Sequence, residues 1–164
     1  MADEYALVSA SNRATVVVDL IGFAARGPDD SEAEVDFGDP ERQATRSEAP
    51  TADGGSVQDR NDRFRWIVVP IAIKLEQVSP STAAGLEAKW AAIMAAVDAV
   101  PPAWLRSKFA GSSQSLYWET TVASKAVRTH NAVQWDAGHL IGKLVLEVQP
   151  HPRDVSGAVI TGAF

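Results

Sequence analysis

The sequence has 164 residues, of which 46% are apolar and 22% charged, and a formal net charge of −6. The length fits a single domain, residues 1–164, with a substantial core. The acidic balance argues against general nucleic-acid binding through a basic surface, and the lack of cysteine excludes disulfides and thiolate chemistry. No apolar run approaches ~20 residues and no basic leader precedes one, so we expect no membrane span, no secretory signal and synthesis in the cytosol.

The first apolar segment, residues 14–23 (ATVVVDLIGF), is open to two interpretations. Its β-branched run favours a strand. The spacing of Val17, Leu20 and Ile21 also fits a helical stripe if the helix starts near Tyr5. We favour the strand and keep the helix as the alternative.

Residues 27–62 are rich in acidic residues, glycine, proline, serine and threonine, and only Val35, Phe37 and Val57 are sizeable apolar groups. Such a segment cannot form much core by itself. Connections this long are usually functional or disordered. We therefore predict a long acidic loop that is either solvated and flexible or ordered against a neighbouring subunit, with Val35 and Phe37 as anchors.

The clearest pattern runs from Phe64 to Val100. In residues 64–76 (FRWIVVPIAIKLE) one alternating face is apolar throughout, while the other starts apolar and turns polar, which predicts a strand buried along one side. The apolar face comprises Ile67, Val69, Ile71, Ile73 and Leu75. Pro70 lies in the middle of this strand, a position that fits a sheet edge or a bulge.

The following segment predicts an amphipathic helix over about 80–100. Ser79 or Ser81 can cap its start, and Pro101 with Pro102 ends it, because proline cannot donate the next helical hydrogen bond. The apolar stripe consists of Leu86, Trp90, Ile93, Met94, Val97 and Val100.

Two further strands are predicted after the helix. Residues 115–123 are rich in aromatic and β-branched side chains, and residues 139–149 alternate as a half-exposed antiparallel strand does. We expect a hydrophobic corner or short helical turn at 104–109, and a further short strand and a turn within 125–138. Residues 150–164 are too apolar for a solvated tail, so we expect them to dock on the protein's own sheet or on a neighbour.

This order of elements predicts an α+β domain. Its sheet is mostly antiparallel, and one main helix packs on a face of that sheet.

The residues offer little catalytic chemistry. His130, Asp136 and His139 lie close in sequence and are sensible ligands for a divalent metal, but their spacing matches no ligand motif. Glu119 and Glu147 are candidates for an acid–base pair across the sheet, although cross-strand charges are ordinary surface features. We therefore predict no catalytic residue, no metal site and no cofactor.

Aromatic and basic residues supply the candidates for a subunit interface. Trp104 and Trp135 lie in irregular surroundings, so they are better candidates for partial exposure at an interface than the other tryptophans, although core filling is the slightly better interpretation of each. A basic cluster directly follows the acidic segment, and ion pairs within the loop or between subunits are its simplest use. The candidate interface residues are Val35, Phe37, Arg60, Arg63, Arg65, Trp104, Trp135 and Phe164.

Residues 60–149 resemble the tail terminator proteins of long-tailed bacteriophages in pattern and order. The aromatic-rich strand DRFRWIVVPIAIKLE, the helix SPSTAAGLEAKWAAIMAAVDAV and the closing strand LIGKLVLEVQ carry the resemblance. It implies a subunit of a hexameric ring at the head-proximal end of the tail, which stops tube growth and joins the tube to the head connector. The implied location is the tail or neck of the virion, after assembly in the host cytoplasm.

The resemblance also implies the partners. These are other copies of the chain, the tail tube and head connector proteins, and genomic DNA passing through a lumen without specific binding; no membrane is implied. Related phage tail tube proteins are the first alternative, because the early strand and the long loop favour them, whereas the long helix favours the terminator. A small monomeric binding domain, or an enzyme using His130, Asp136 and His139, is the alternative of another class.

Overall fold

A computed structural model gives the fold. It describes residues 3–20, 35–38, 43–47, 56–60, 64–129 and 138–160. In these ranges the chain forms β1 (Glu4–Val8), β2 (Val16–Asp19), β3 (Gln43–Ser47), β4 (Ser56–Arg60), β5 (Arg65–Lys74), a 3-10 turn (Leu75–Gln77), α1 (Ala83–Val97), β6 (Trp104–Lys108), β7 (Leu116–Trp118), β8 (Lys125–Thr129) and β9 (His139–Val148).

The strands form two larger antiparallel sheets and one separate hairpin. The first sheet has the order β2-β1-β6-β7, the second sheet has the order β5-β9-β8, and β3 pairs with β4 and with no other strand in the described ranges. The predicted α+β class, with antiparallel pairing and one main helix, is therefore confirmed.

The two larger sheets are joined where the chain leaves β7. Thr120 forms a bridge with Val148 at the end of β9, and its hydroxyl donates to the carbonyl of Ala103 at 2.7 Å. The backbone N–H of Gln149 donates to the carbonyl of Glu119 at 2.9 Å. Strands from both sheets thus enclose one core.

Strand β5 follows the predicted pattern. Its inward side chains Ile67, Val69, Ile71 and Ile73 are buried. It is an edge strand, and at Val68 it exchanges hydrogen bonds in both directions with Asp36 on the side away from β9. Because alternate residues of a strand direct their backbone groups to the same side, Pro70 also points its nitrogen to that open side and costs the β5–β9 ladder no hydrogen bond. The predicted edge position of Pro70 is confirmed.

The predicted helix is confirmed with a different cap and a shorter stripe. The hydroxyl of Thr82, rather than of Ser79 or Ser81, accepts from the N–H of Gly85 at 3.1 Å. The helix ends at Val97, ahead of the two prolines. Four stripe residues are buried, namely Leu86, Trp90, Ile93 and Val97, whereas Met94 and Val100 are exposed.

Helix α1 packs on the inner side of the second sheet. The indole of Trp90 occupies the space where Gly142 of β9 lacks a side chain, and a Cβ there would overlap the ring. Arg128 of β8 forms a salt bridge with Glu87 of α1 at 2.9 Å. A glycine in the middle of β9 therefore serves close packing, since the helix approaches the strand most closely there.

The first described segment of the chain decides between the strand and the helix expected for residues 14–23. Residues 4–8 and 16–19 form antiparallel strands, so the strand interpretation of 14–23 is right for the described residues and the helix starting near Tyr5 is wrong. Strand β1 was not predicted. It pairs on both sides, with β2 and with β6, which is why its short EYALV segment is extended.

Of the two expectations for residues 104–109, a hydrophobic corner or a short helical turn, the helical turn is wrong, because residues 104–108 form strand β6 between β1 and β7. Sheet pairing on both sides outweighs the local ambiguity of so short an apolar run. Strands at 125–129 and 139–148 lie where they were expected, and the strand expected over 115–123 is shorter, at 116–118. Leu75 lies in the 3-10 turn rather than at the end of the strand.

Within the predicted acidic loop of 27–62, the structure describes residues 35–38 and the β3–β4 hairpin. The remainder of that loop lies outside the described residues.

Candidate functional site

The eight predicted interface residues fall into two groups. Arg63, Trp135 and Phe164 lie outside the described residues, and Arg60 is described only as the last residue of β4. The other four are Val35, Phe37, Arg65 and Trp104, and all four contact the protein's own core or the segments that cover it.

Phe37 lies in an aromatic cluster within the subunit. Its ring centroid lies 5.4 Å from that of Trp118 and 5.7 Å from that of Phe109. The guanidinium carbon of Arg65 lies 5.7 Å from the same Trp118 ring. Trp118 is fully buried and donates its indole N–H to Ser107 Oγ at 3.0 Å. Phe37 and Arg65 therefore close one end of the core by cation–π and ring contacts.

Residues 35–38 are held along the open side of β5. The N–H of Gly38 donates to Asp36 Oδ1 at 2.8 Å, and Gly38 has a φ of 54° where a Cβ would meet the carbonyl oxygen of Trp66. Val35 packs against the core. The two predicted anchors thus order this part of the acidic segment against its own subunit.

Trp104 is 9% exposed, which agrees with its interpretation as a core residue rather than as an exposed interface residue. It belongs to a second apolar cluster on the other face of the first sheet, together with Ala6, Val8 and Tyr117. The guanidinium carbon of Arg13 lies 4.9 Å from the Trp104 ring centroid.

Arg13 was not singled out in the sequence, although it holds two distant segments together. Its Nε donates to the carbonyl of Val155 at 2.9 Å and its Nη2 to the carbonyl of Ser156 at 2.6 Å. In sequence Arg13 is one polar residue in a turn-like stretch, and no local signal marks its partners. It clamps the C-terminal segment over the second apolar cluster.

Arg153 fixes the same segment to β7. It bridges Tyr117 through the backbone, forms a salt bridge with Glu119 at 3.2 Å, and donates from Nη1 to the carbonyl of Gly157 at 2.9 Å. A hydrogen bond from the Ser156 hydroxyl lowers the pKa of the Asp154 carboxyl, and backbone N–H groups of the same turn add to this effect. The segment from Pro152 to Ile160 therefore forms a hydrogen-bonded turn that lies on the subunit's own sheet.

The structure describes three of the five candidate catalytic residues, His139, Glu119 and Glu147. His139 is the first residue of β9 and pairs with Lys74, while His130 and Asp136 lie outside the described residues. Glu119 and Glu147 are on adjacent backbones, and Glu119 forms a salt bridge with Arg153. Within the described ranges, no group of three or more histidine and carboxylate side chains is placed to hold a metal ion.

Comparison with known proteins adds no relative, since no protein-family model matches the chain and no match to a curated protein is found. Among the described residues, no helix has both the length and the apolar character needed to span a bilayer.

Proposed function

We propose that the protein is a structural virion subunit that forms a ring at the head-proximal end of a bacteriophage tail, where it ends tube growth and joins the tube to the head connector. Two things support the proposal. The first is the pattern of residues 60–149, which resembles tail terminator proteins. The second, which carries the structural argument, is the isolated β3–β4 hairpin.

The hairpin pairs in register from Gln43 with Arg60 to Ser47 with Ser56, and it pairs with no other described strand. Its segments QATRS and SVQDR contain Ala44 and Val57 as their apolar residues. A lone two-stranded ribbon is marginally stable in water, and one of this composition has little apolar surface to bury. A neighbouring subunit that pairs with or covers the hairpin would stabilise it.

The charge of the chain fits a DNA conduit. The net charge is −6, and residues 27–62 hold about half of the acidic side chains. An acidic lumen repels the phosphate backbone, so a genome passes through it without binding.

A tail tube subunit is the second candidate, and a specific observation favours it. The chain starts with two strands, β1 and β2, and a hairpin follows in the long connection to β5. Early strands and a long loop are the features that this alternative implies. The two candidates differ in their product, because a terminator forms closed rings and a tube subunit forms open-ended polymers.

Light scattering coupled to size exclusion, with negative-stain microscopy of the same fractions, tests the proposal. The expected result is a ring with about six times the 17.5 kDa mass of one chain. Extended tubes would favour the second candidate. A monomer at every concentration would contradict both.

A hairpin deletion tests the observation that carries the proposal. A variant with residues 43–60 replaced by a short Gly-Ser linker should fold and stay monomeric. The matched control inserts the same linker after Gly111, in a turn where an added Cβ meets no atom within 4 Å, and it should assemble like the wild type. Rings of the deletion variant would show that the hairpin has no part in assembly.

A further inference from the structure

The second sheet has an outer face that carries apolar side chains. Gly142, Leu144 and Leu146 of β9 are buried toward the core, so Ile141 and Val145 point to the opposite side. The strand registers place side chains of β5 and β8 beside them. We call this surface the sheet face, and it comprises Trp66, Val68, Pro70, Val127, Ile141 and Val145, with Lys125 and Lys143.

The sheet face is too apolar for an ordinary solvated surface. Trp66 is 45% exposed, and the other five apolar residues are half-buried. Single exposed apolar residues are common, whereas apolar side chains on three neighbouring strands of one face are typical of an interaction surface. Tryptophan in particular is enriched in protein interfaces.

The sheet face also carries positive charge in an acidic protein. Lys125 and Lys143 are both exposed, and Glu147 lies at one end of the face beside Trp66. Its occupant should therefore combine apolar side chains with a carboxylate or another negative group.

One end of α1 has these properties. Met94 is 41% exposed and Val100 is 89% exposed, and the exposed Asp98 is the C-cap of the helix. Met94 and Asp98 are four residues apart and lie on one side of the helix. The C-terminal carbonyl groups of a helix add a partial negative charge. We call these three residues the helix end.

The two surfaces point in different directions on the same subunit. Helix α1 packs on the inner side of the second sheet through Trp90, so its exposed side is directed away from the sheet face. A subunit therefore cannot join its own helix end to its own sheet face. Contacts of this kind between copies are heterologous, and they close into a ring when the rotation permits it.

We propose that the sheet face of one subunit binds the helix end of the next copy of this chain, with Lys143 and Lys125 facing Asp98. The inference rests on the ring assembly proposed above and names a second contact in it, which acts together with the β3–β4 hairpin. On the subunit that contributes the sheet face, three strands of these lengths present about 400 Å² in projection. That is below the ~800 Å² per partner of a standard interface, so the contact is weak for one pair and persists in a ring, where each subunit uses both surfaces.

A charge exchange tests the contact. Lys143→Glu and Asp98→Lys, made separately, should each raise the protein concentration needed for half-maximal ring formation about tenfold, because like charges then face each other. The double variant, Lys143→Glu with Asp98→Lys, should restore assembly to within about threefold of the wild type. Sedimentation velocity across a concentration series measures both effects. The matched control, Lys108→Glu on the first sheet, should assemble normally.

The outcomes separate this contact from the proposed function. Wild-type rings that tolerate both single variants, or a double variant no better than either one, would overturn the contact while leaving the ring assembly standing. A wild-type protein that stays monomeric would overturn both. Circular dichroism of each variant confirms that the monomer is folded.

Discussion

Replacing Gly142 with alanine should destabilise the protein, because α1 needs the space that this glycine leaves open. A Cβ at residue 142 would overlap the ring of Trp90 and lie 2.9 Å from the carbonyl oxygen of Val127. Trp90 is 3% exposed, so its ring has little room to move. Overpacking costs about 1–3 kcal/mol, and two rigid neighbours place this substitution at the upper end of that range.

A loss of about 2–3 kcal/mol corresponds to a melting temperature lower by roughly 4–12 °C in a domain of this size. Thermal and urea unfolding followed by circular dichroism measure it. The matched control is Val122→Ala, at a residue that is 79% exposed and outside the proposed contacts, which should change the free energy of unfolding by less than about 0.5 kcal/mol.

A double variant tests the cause. Trp90→Phe alone removes buried surface and costs stability, but it also frees space above residue 142. The double variant, Gly142→Ala with Trp90→Phe, should lose about 1 kcal/mol less stability than the sum of the losses of the two single variants. Strictly additive losses, or an unchanged melting temperature of Gly142→Ala, would refute the close packing of helix on strand.

Three further predictions follow from single contacts. Burial, with a smaller effect from Asp3, raises the pKa of Tyr5 from 10.0 to about 12, so the neutral phenol stabilises the fold below pH 10 and this contribution is lost as the pH rises toward 12. The Tyr5→Phe variant should therefore lose less stability between pH 10 and 12 than the wild type. Equal losses would contradict the raised pKa. Arg13→Ala should speed protease cleavage within residues 154–158 while the melting temperature changes little, and unaltered cleavage would show that the clamp does not hold the segment. Pro70→Val should change the free energy of unfolding by less than about 1 kcal/mol, whereas Val69→Pro should cost more than about 2 kcal/mol because it breaks the β5–β9 ladder; similar losses would contradict the edge position.

The parts of the fold that could be predicted are those with long periodic patterns. Strands β5 and β9 and helix α1 each keep one apolar face over many residues, because each packs that face on the same core. Even in these elements, the surrounding packing determines which residues of the apolar face are buried. Met94 and Val100 continue the apolar stripe of α1 in sequence, but both are exposed because the core does not extend to them.

The missed elements are short and take their conformation from neighbours that are distant in sequence. Strand β6 (WLRSK) and strand β1 (EYALV) pair with each other across about a hundred residues. Neither segment contains that information locally. The hairpin β3–β4 was missed for another reason, since its polar composition is typical of a loop.

The candidate interface residues also depend on packing that the sequence does not show locally. Composition identified Phe37 and Trp104 as notable aromatic residues, but only the packing shows that both contact their own subunit. Trp66, on the face of β5 that turns polar along the strand, is 45% exposed, whereas Trp104 is 9% exposed. Arg13 had no sequence signal, because its partners are carbonyl groups about 140 residues away.

Strand β5 is synthesised well before β9, the strand with which it pairs. Lys74 ends β5, and its partner His139 is made only after the helix and three further strands. At roughly 5–20 residues per second, the intervening ~65 residues take on the order of 3–13 s. During that time Ile67, Val69 and Ile71 belong to a nascent β-prone segment without its strand partner. Because Pro70 has no N–H to donate, it makes this segment a poorer template for intermolecular β pairing before β9 is made.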